Sequence, residues 1–229
     1  MRYEKIVTGT FVSRPNRFIA MVGVAGTIEK CHVKNTGRCK EILVPGARVI
    51  LSVSDNPGRK TKYDLIAAYK GEMLINIDSQ APNIVFGEYI PGSGLFGSNP
   101  RVHPEYTYGD SRFDFYIESG ERRCLAEVKG VTLEDGGVCR FPDAPTERGA
   151  KHLRGLMRAS EEGYECYAVF IIQMKPAILF APNYETHEEF GTLLQDAEKT
   201  GVKILVYSCD VTPDSVSISS PVPYRLGKE

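Results

Sequence analysis

Residues 111–130 read SRFDFYIESGERRCLAEVKG, and the alternation of apolar and polar side chains in this stretch decides the fold of the C-terminal half. Ser111 to Glu118 and Arg123 to Val131 have the period-two pattern of paired strands. Residues two apart on a strand face the same side, so Glu127 and Lys129 project together while Val128 points into the opposite layer. Asp114, on the neighbouring strand, brings a second carboxylate beside Glu127. A carboxylate and an ammonium among apolar strand residues are costly to desolvate alone, so they need each other, a metal, water or a polar cleft. Two hard oxygen ligands suit Mg²⁺, with Mn²⁺ able to substitute. Lys129 could then orient or activate an attacking water while the metal offsets charge on a scissile phosphate, which is nuclease chemistry. An Asp/Glu/Lys ion-pair cluster at a sheet edge fits the same spacing.

Downstream, strand and helix alternate. A third short strand is expected near Gly137 to Phe141. A helix follows over Pro145 to Glu162, with Ala150, Leu153, Met157 and Ser160 as a narrow inward stripe and Arg148, Lys151, His152 and Arg158 on the other side. Tyr167 to Gln173 is an apolar run of the kind covered on both faces. A second amphipathic helix is expected over His187 to Thr200, opened by a capping box of Thr186 and Glu189 and burying Phe190, Leu193, Leu194 and Ala197. Val202 to Ser208 supplies another buried strand, so this half reads as an α/β sandwich with a mixed central sheet.

Upstream, short β-rich segments recur between turns: Glu4 to Val12, Arg17 to Val24, Gly26 to Val33, Ala47 to Val53 and Tyr63 to Tyr69. Gly37 to Leu43 is expected to form one helical turn between the third and fourth, the arrangement of an OB-fold barrel. A connector follows, with a short helix from Pro82 to Ile90, and the Gly/Pro/Ser-rich run of residues 91–106 reads as a loop. These patterns predict an OB-like β-barrel over residues 1–81 and an α/β domain over 82–229, each with its own core.

The chain has 229 residues and a formal net charge of −1, so it lacks the overall basic excess of a histone-like binder and any nucleic-acid surface must be local. No stretch approaches the roughly 18 to 20 apolar residues needed to cross a bilayer, and no leader precedes the first strand, so a cytoplasmic location is expected. The six cysteines form no CxxC pair and read as free buried thiols. Walker, dinucleotide-binding and zincin motifs are absent. Nothing here sets the oligomeric state.

Four segments, HVKNTGRCKEILVPGARV (32–49), SRFDFYIE (111–118), AEVKGVTL (126–133) and FPDAPTERGAKHLRGL (141–156), closely resemble the sugar fermentation stimulation proteins, and the resemblance spans nearly the whole chain. It implies an OB-like domain fused to a domain similar to PD-(D/E)XK nucleases, in a family described as DNA-binding and associated with regulation of sugar-utilisation genes. The nuclease motif then falls on Asp114, Glu127 and Lys129 as catalytic residues, with Phe113 in place of the motif's proline, and with Asp114 and Glu127 as metal ligands. Glu88 resembles in placement the acidic residue that assists the metal in such nucleases, and Glu105 is a further acidic neighbour.

Arg148, Lys151 and His152 share a helix and could contact phosphates. Arg14, Arg17, Lys34, Asn35, Arg38, Lys40, Arg59, Lys60 and Lys62 cluster at turns and strand ends of the barrel, with Phe18 as the nearest stacking aromatic. The expectation is a weakly sequence-selective DNA-binding protein. The alternative is a Mg²⁺-dependent nuclease acting on DNA or RNA.

Overall fold

The computed structural model describes residues 1–35 and 37–228. Among these, β1 (Ile6–Asn16), β2 (Ile19–Val24), β3 (Thr27–Val33), β4 (Arg48–Val53), β5 (Tyr63–Lys70) and β6 (Met73–Asn76) form one sheet in the order β3-β2-β1-β4-β5-β6. A parallel pairing of Cys31–Val33 with Tyr63–Leu65 joins β3 to β5 and closes five strands into a barrel. Closure removes two sheet edges and encloses Phe11, Val22, Cys31, Val49 and Leu65. Gly9 on β1 permits the tight coil, since a Cβ there would sit 2.5 Å from the Val22 side chain. This is the OB barrel expected from the strand order, extended by β6, which lies in what reads as connector.

The helical turn expected at 37–43 is an irregular turn instead. Cys39 takes φ 46°, and its carbonyl accepts from Ile42 N (3.2 Å) and Leu43 N (2.8 Å), closing a single turn that goes no further. The Arg14 guanidinium bears on this: it donates to the carbonyls of Arg17, Asn35, Gly37 and Arg38 at 2.7–2.8 Å, and the last two are oxygens that a helix starting at residue 37 would use.

The second half begins with α1 (Ala81–Tyr89) and continues through β7 (Arg101–Tyr108), β8 (Ser111–Ser119), β9 (Arg122–Val131), β10 (Leu133–Asp135), β11 (Val138–Phe141), α2 (Glu147–Glu161), β12 (Glu165–Ile172), β13 (Leu179–Pro182), α3 (Glu188–Lys199), β14 (Lys203–Thr212) and β15 (Ser215–Pro221). The main sheet runs β15-β14-β12-β9-β8-β7. Its centre, β9, β12 and β14, is parallel and its flanks are antiparallel. The third strand expected at 137–141 belongs to a separate sheet, β10-β11-β13. The segment read as a loop over 91–106 holds the start of β7. Pro104 disguised it, yet β7 is an edge strand, where a missing N–H is tolerated.

The capping box before α3 does not form. Asn183 engages the Thr186 and His187 N–H groups, His187 is the N-cap without a side-chain cap, and Glu189 pairs with Arg154. The barrel and the second half keep separate sheets and meet across a shared apolar interface. Ile50, Ile66 and Ala67 of the barrel join Val85, Phe86, Ala126 and Val128 in one apolar cluster, because the outer face of the barrel packs on α1 and the main sheet. A buried polar seam crosses the same junction. Asp78, 0% exposed, accepts from Tyr3 Oη (3.1 Å), Lys34 Nζ (2.7 Å) and Gln80 N (3.0 Å), while Gln173 Nε2 donates to Asn76 Oδ1 (2.8 Å). No helix among the described residues is long and apolar enough to cross a membrane.

Candidate metal centre and nucleic-acid interface

The ladder between β8 and β9 runs from Ser119↔Arg122 to Phe115↔Ala126 and stops, whereas β9 stays paired with β12 from Cys124 to Val131. The strands part at Asp114. Phe113 packs toward α2, 6.0 Å from the His152 ring, while Phe115 packs toward α1 against Phe86, so β8 rolls over at the aspartate. The Val128 N–H freed by this split donates to one Asp114 oxygen at 2.7 Å, and Asn83 Nδ2 of α1 donates to the other at 2.7 Å. Each oxygen keeps one lone pair beyond its hydrogen bond.

Glu127 lies beside Asp114 and is 4% exposed. Its Oε1 accepts from both Lys129 Nζ and His152 Nδ1. Its Oε2 is buried and has no partner among the described residues. An unpaired, ionised carboxylate oxygen inside a protein is costly and is the position a hard cation would fill. Burial, then the Glu127 charge, raises the Asp114 carboxyl above its ordinary range, against the pull of the Val128 N–H, Lys129 and Asn83. Burial alone would also raise Glu127, but the His152 hydrogen bond and the Lys129 charge outweigh it and hold that group below its ordinary value. The pair therefore differs in its hold on a proton, and hard oxygen donors with Lys129 at their edge fit a divalent ion.

His152 is not on the outer face. It is 4% exposed because the buried side of α2 is wider than the expected stripe and includes Gly149, Gly155 and Leu156. Gly155 makes this possible: a Cβ there would come within 3.0 Å of both the Phe113 ring and Ser111 Oγ, so the glycine lets α2 approach β8 closely. Arg148 is exposed, with Nε 3.5 Å from His152 Nε2. Lys151 lies 3.4 Å from Asp110.

Glu88 does not join this group. It is exposed and pairs with the Met1 amine at 2.5 Å, on a different face of α1 from Asn83, which is the helix residue that reaches Asp114. Pro82 marks the start of the helix, but nothing local in the sequence marks Asn83 as the residue that reaches Asp114. Glu105 pairs with Arg112. A second grouping, Glu147, His187 and Glu189, brings ligand atoms within 4.8 Å of one another. His187 Nδ1, however, accepts the Thr146 N–H at 3.2 Å, which leaves the proton on the Nε2 that faces the carboxylates. That histidine donates to its neighbours and offers them no lone pair for a metal.

The basic set divides. Arg14 is the loop staple described above, Lys34 is bound to Asp78, and Asn35 links Ile77 O (3.0 Å) to Gly37 N (2.6 Å). These three hold the fold: Lys34 and Asn35 are engaged inside the protein, and both terminal nitrogens of Arg14 are bound to loop carbonyls, its buried Nε having no partner among the described residues. Arg17, Arg38 and Lys40 are exposed, and Phe18, 50% exposed, lies 5.8 Å from the Arg17 guanidinium. Arg59 pairs with Asp64, whereas Lys60 and Lys62 are exposed.

Residues 12–77 match the family model described as the SfsA N-terminal OB domain, and residues 80–215 match the Sugar fermentation stimulation protein RE domain. The chain is 55% identical over 226 residues to a sugar fermentation stimulation protein homolog of Desulfitobacterium hafniense, covering 99% of each chain. It is 51% identical to one of Clostridium beijerinckii, covering 99% of this chain and 100% of that one. The solved structure of Pyrococcus furiosus SfsA in complex with Ca²⁺ superposes with a TM-score of 0.89 at 25% identity, covering 98% of each chain. With both halves matched in order and relatives alike along their full length, the chain belongs to the sugar fermentation stimulation protein family.

Proposed function

We propose that this protein binds nucleic acid and hydrolyses its phosphodiester bonds with a divalent cation, Mg²⁺ or Mn²⁺, held by Asp114 and Glu127. The single observation that carries this reading is the buried, unpaired Glu127 Oε2 beside the ionisable Asp114. The Ca²⁺ bound by the Pyrococcus furiosus relative is a hard cation of the same class. A bound ion would supply positive charge to a phosphate undergoing displacement. Lys129, held by Glu127 at the edge of the group, is suited to orienting the attacking water or a phosphate oxygen. Arg148, on the exposed side of α2, and Arg17, Phe18, Arg38 and Lys40 on the barrel are suited to backbone contact and base stacking.

In this reading, residues 1–81 hold the nucleic acid and residues 82–229 carry the chemistry. DNA is the preferred partner, with RNA accommodated by the same contacts. No reading head of the helix-turn-helix kind is among these elements, so selectivity for sequence is low. Six free, buried cysteines fit a reducing cytoplasm.

A second reading, a DNA-binding regulator of sugar-metabolism genes that does not cut, is favoured by one observation. Both Asp114 oxygens and the Lys129 ammonium already have protein partners. Incubation with single-stranded, duplex and branched DNA and with RNA, with Mg²⁺, Mn²⁺ or a chelator, separates the two. Metal-dependent cleavage that disappears in Glu127→Gln supports hydrolysis. Retained DNA binding with no cleavage of any substrate overturns it in favour of the regulator.

A further inference from the structure

Glu127 offers two chemically equivalent oxygens, and a glutamate's terminal torsion is broad and two-fold, so either could face a cation. The protein distinguishes them. Oε1 receives two donors, Lys129 Nζ and His152 Nδ1, and Oε2 receives none among the described residues. Two donors use the two lone pairs of Oε1, leaving both lone pairs of Oε2 for a ligand.

The histidine can play this part because its own orientation is fixed. Its ring is 4% exposed and meets the Phe113 ring at an interplanar angle of 68°. The Arg148 Nε–H, which can only donate, is directed at His152 Nε2 across 3.5 Å. Nε2 is thereby the acceptor, and the proton sits on Nδ1, facing Glu127.

Resting on the cation-dependent reading above, we propose that His152 is a positioning residue that turns Glu127 Oε2 toward the cation, with Arg148 fixing the tautomer in which it does so. His152 touches neither nucleic acid nor metal in this assignment. The arginine and histidine are one helical turn apart, so Arg148 lies two hydrogen bonds from the metal ligand and a group contacted by its exposed end lies three.

The test is Mn²⁺ binding to the full chain, followed by the electron paramagnetic resonance signal of free Mn²⁺, for the parent, His152→Asn, His152→Gln and His152→Phe, with the melting temperature of each metal-free protein. Asparagine places its amide N–H near the Nδ1 position and glutamine near Nε2. His152→Asn is expected to hold Mn²⁺ within about threefold of the parent. His152→Gln and His152→Phe are expected to bind about 10- to 100-fold more weakly, the usual effect of losing a partner that orients a metal ligand. The Asn/Gln comparison stands alone if His152→Phe does not fold. Equal Mn²⁺ affinity in the parent, His152→Asn and His152→Gln, with only melting temperatures changed, overturns the proposal. If the parent also loses Mn²⁺ on Glu127→Gln, the cation site itself survives that result. A parent that binds no Mn²⁺ overturns both readings.

Discussion

The Val128 N–H donates to the Asp114 carboxylate at 2.7 Å, in the place where a backbone carbonyl of β8 would accept it if the β8–β9 ladder continued. A side chain substitutes for the backbone at the point where the two strands separate. The gap this opens admits Asn83 from α1 on one side, while His152 from α2 reaches Glu127 on β9. The candidate centre is thus a defect in the sheet held in place by its own polar groups.

Asp114 should show a trade between metal binding and stability. Its carboxyl is raised, by burial first and then by the Glu127 charge, so the folded state binds a proton more readily than the unfolded chain. In the window between the ordinary and the raised value, this group's contribution to stability falls as pH rises. Asp114→Asn should therefore leave the metal-free melting temperature at pH 7 unchanged or higher while abolishing Mn²⁺ binding. Calorimetric melts and metal titration of the variant check both. The parent's Mn²⁺ affinity should also weaken as pH falls through the raised carboxyl, because the proton and the cation compete for the same oxygens.

Glu165 makes the opposite contribution. Arg122 binds it in a bidentate pair at 2.7 and 2.8 Å, and this pairing, with Lys203 and Tyr167 beside it, outweighs burial and draws the carboxyl down from 4.5 to about 2. The folded value is depressed, so the stabilisation is fully present above the ordinary carboxylate range and is lost as pH falls from about 4.5 toward 2. Discounted for its partial exposure, it amounts to about 1–2 kcal/mol. Glu165→Gln should lower stability by that amount at pH 7 and flatten the acid limb of a urea-denaturation series.

Lys34 and Arg38 are close in sequence and should behave differently. Lys34→Ala strands the fully buried Asp78 carboxylate and should cost about 3 kcal/mol. Arg38→Ala removes an exposed side chain and should change stability by less than about 0.5 kcal/mol while weakening DNA binding. Removing Arg38, Arg17 or Lys40 should each reduce the slope of log affinity against log salt by about one. Fluorescence anisotropy over a salt series measures this, alongside denaturant melts of each variant.

The barrel was legible because strand order and β-branched spacing are local signals, and the β8–β9 step was legible because side chains alternate strictly along a strand. Glu127, Val128 and Lys129 lie where that alternation put them. What escaped depended on contacts between distant segments. Pro104 reads as a loop residue until β7 is known to be an edge. His152 reads as solvent-facing until Gly149 and Gly155 are recognised as surfaces of close approach. Arg14 and Lys34 read as free cations because nothing local reveals four waiting carbonyls or the buried Asp78. Glu88 resembles the assisting acid in placement, but the helix turns Asn83 to the site and leaves Glu88 to the chain's own amine.

Equilibrium titration of Mn²⁺ into the parent and Glu127→Gln bears most directly on the account. Glu127→Gln keeps the side chain's shape, removes its charge and places an amide among the Lys129 and His152 donors. The parent should bind one Mn²⁺, and the variant should bind it more weakly by at least the 10- to 100-fold lost with an outer partner of a metal ligand. A parent that takes up no Mn²⁺, or a variant that binds it as tightly as the parent, would contradict the assignment of this centre.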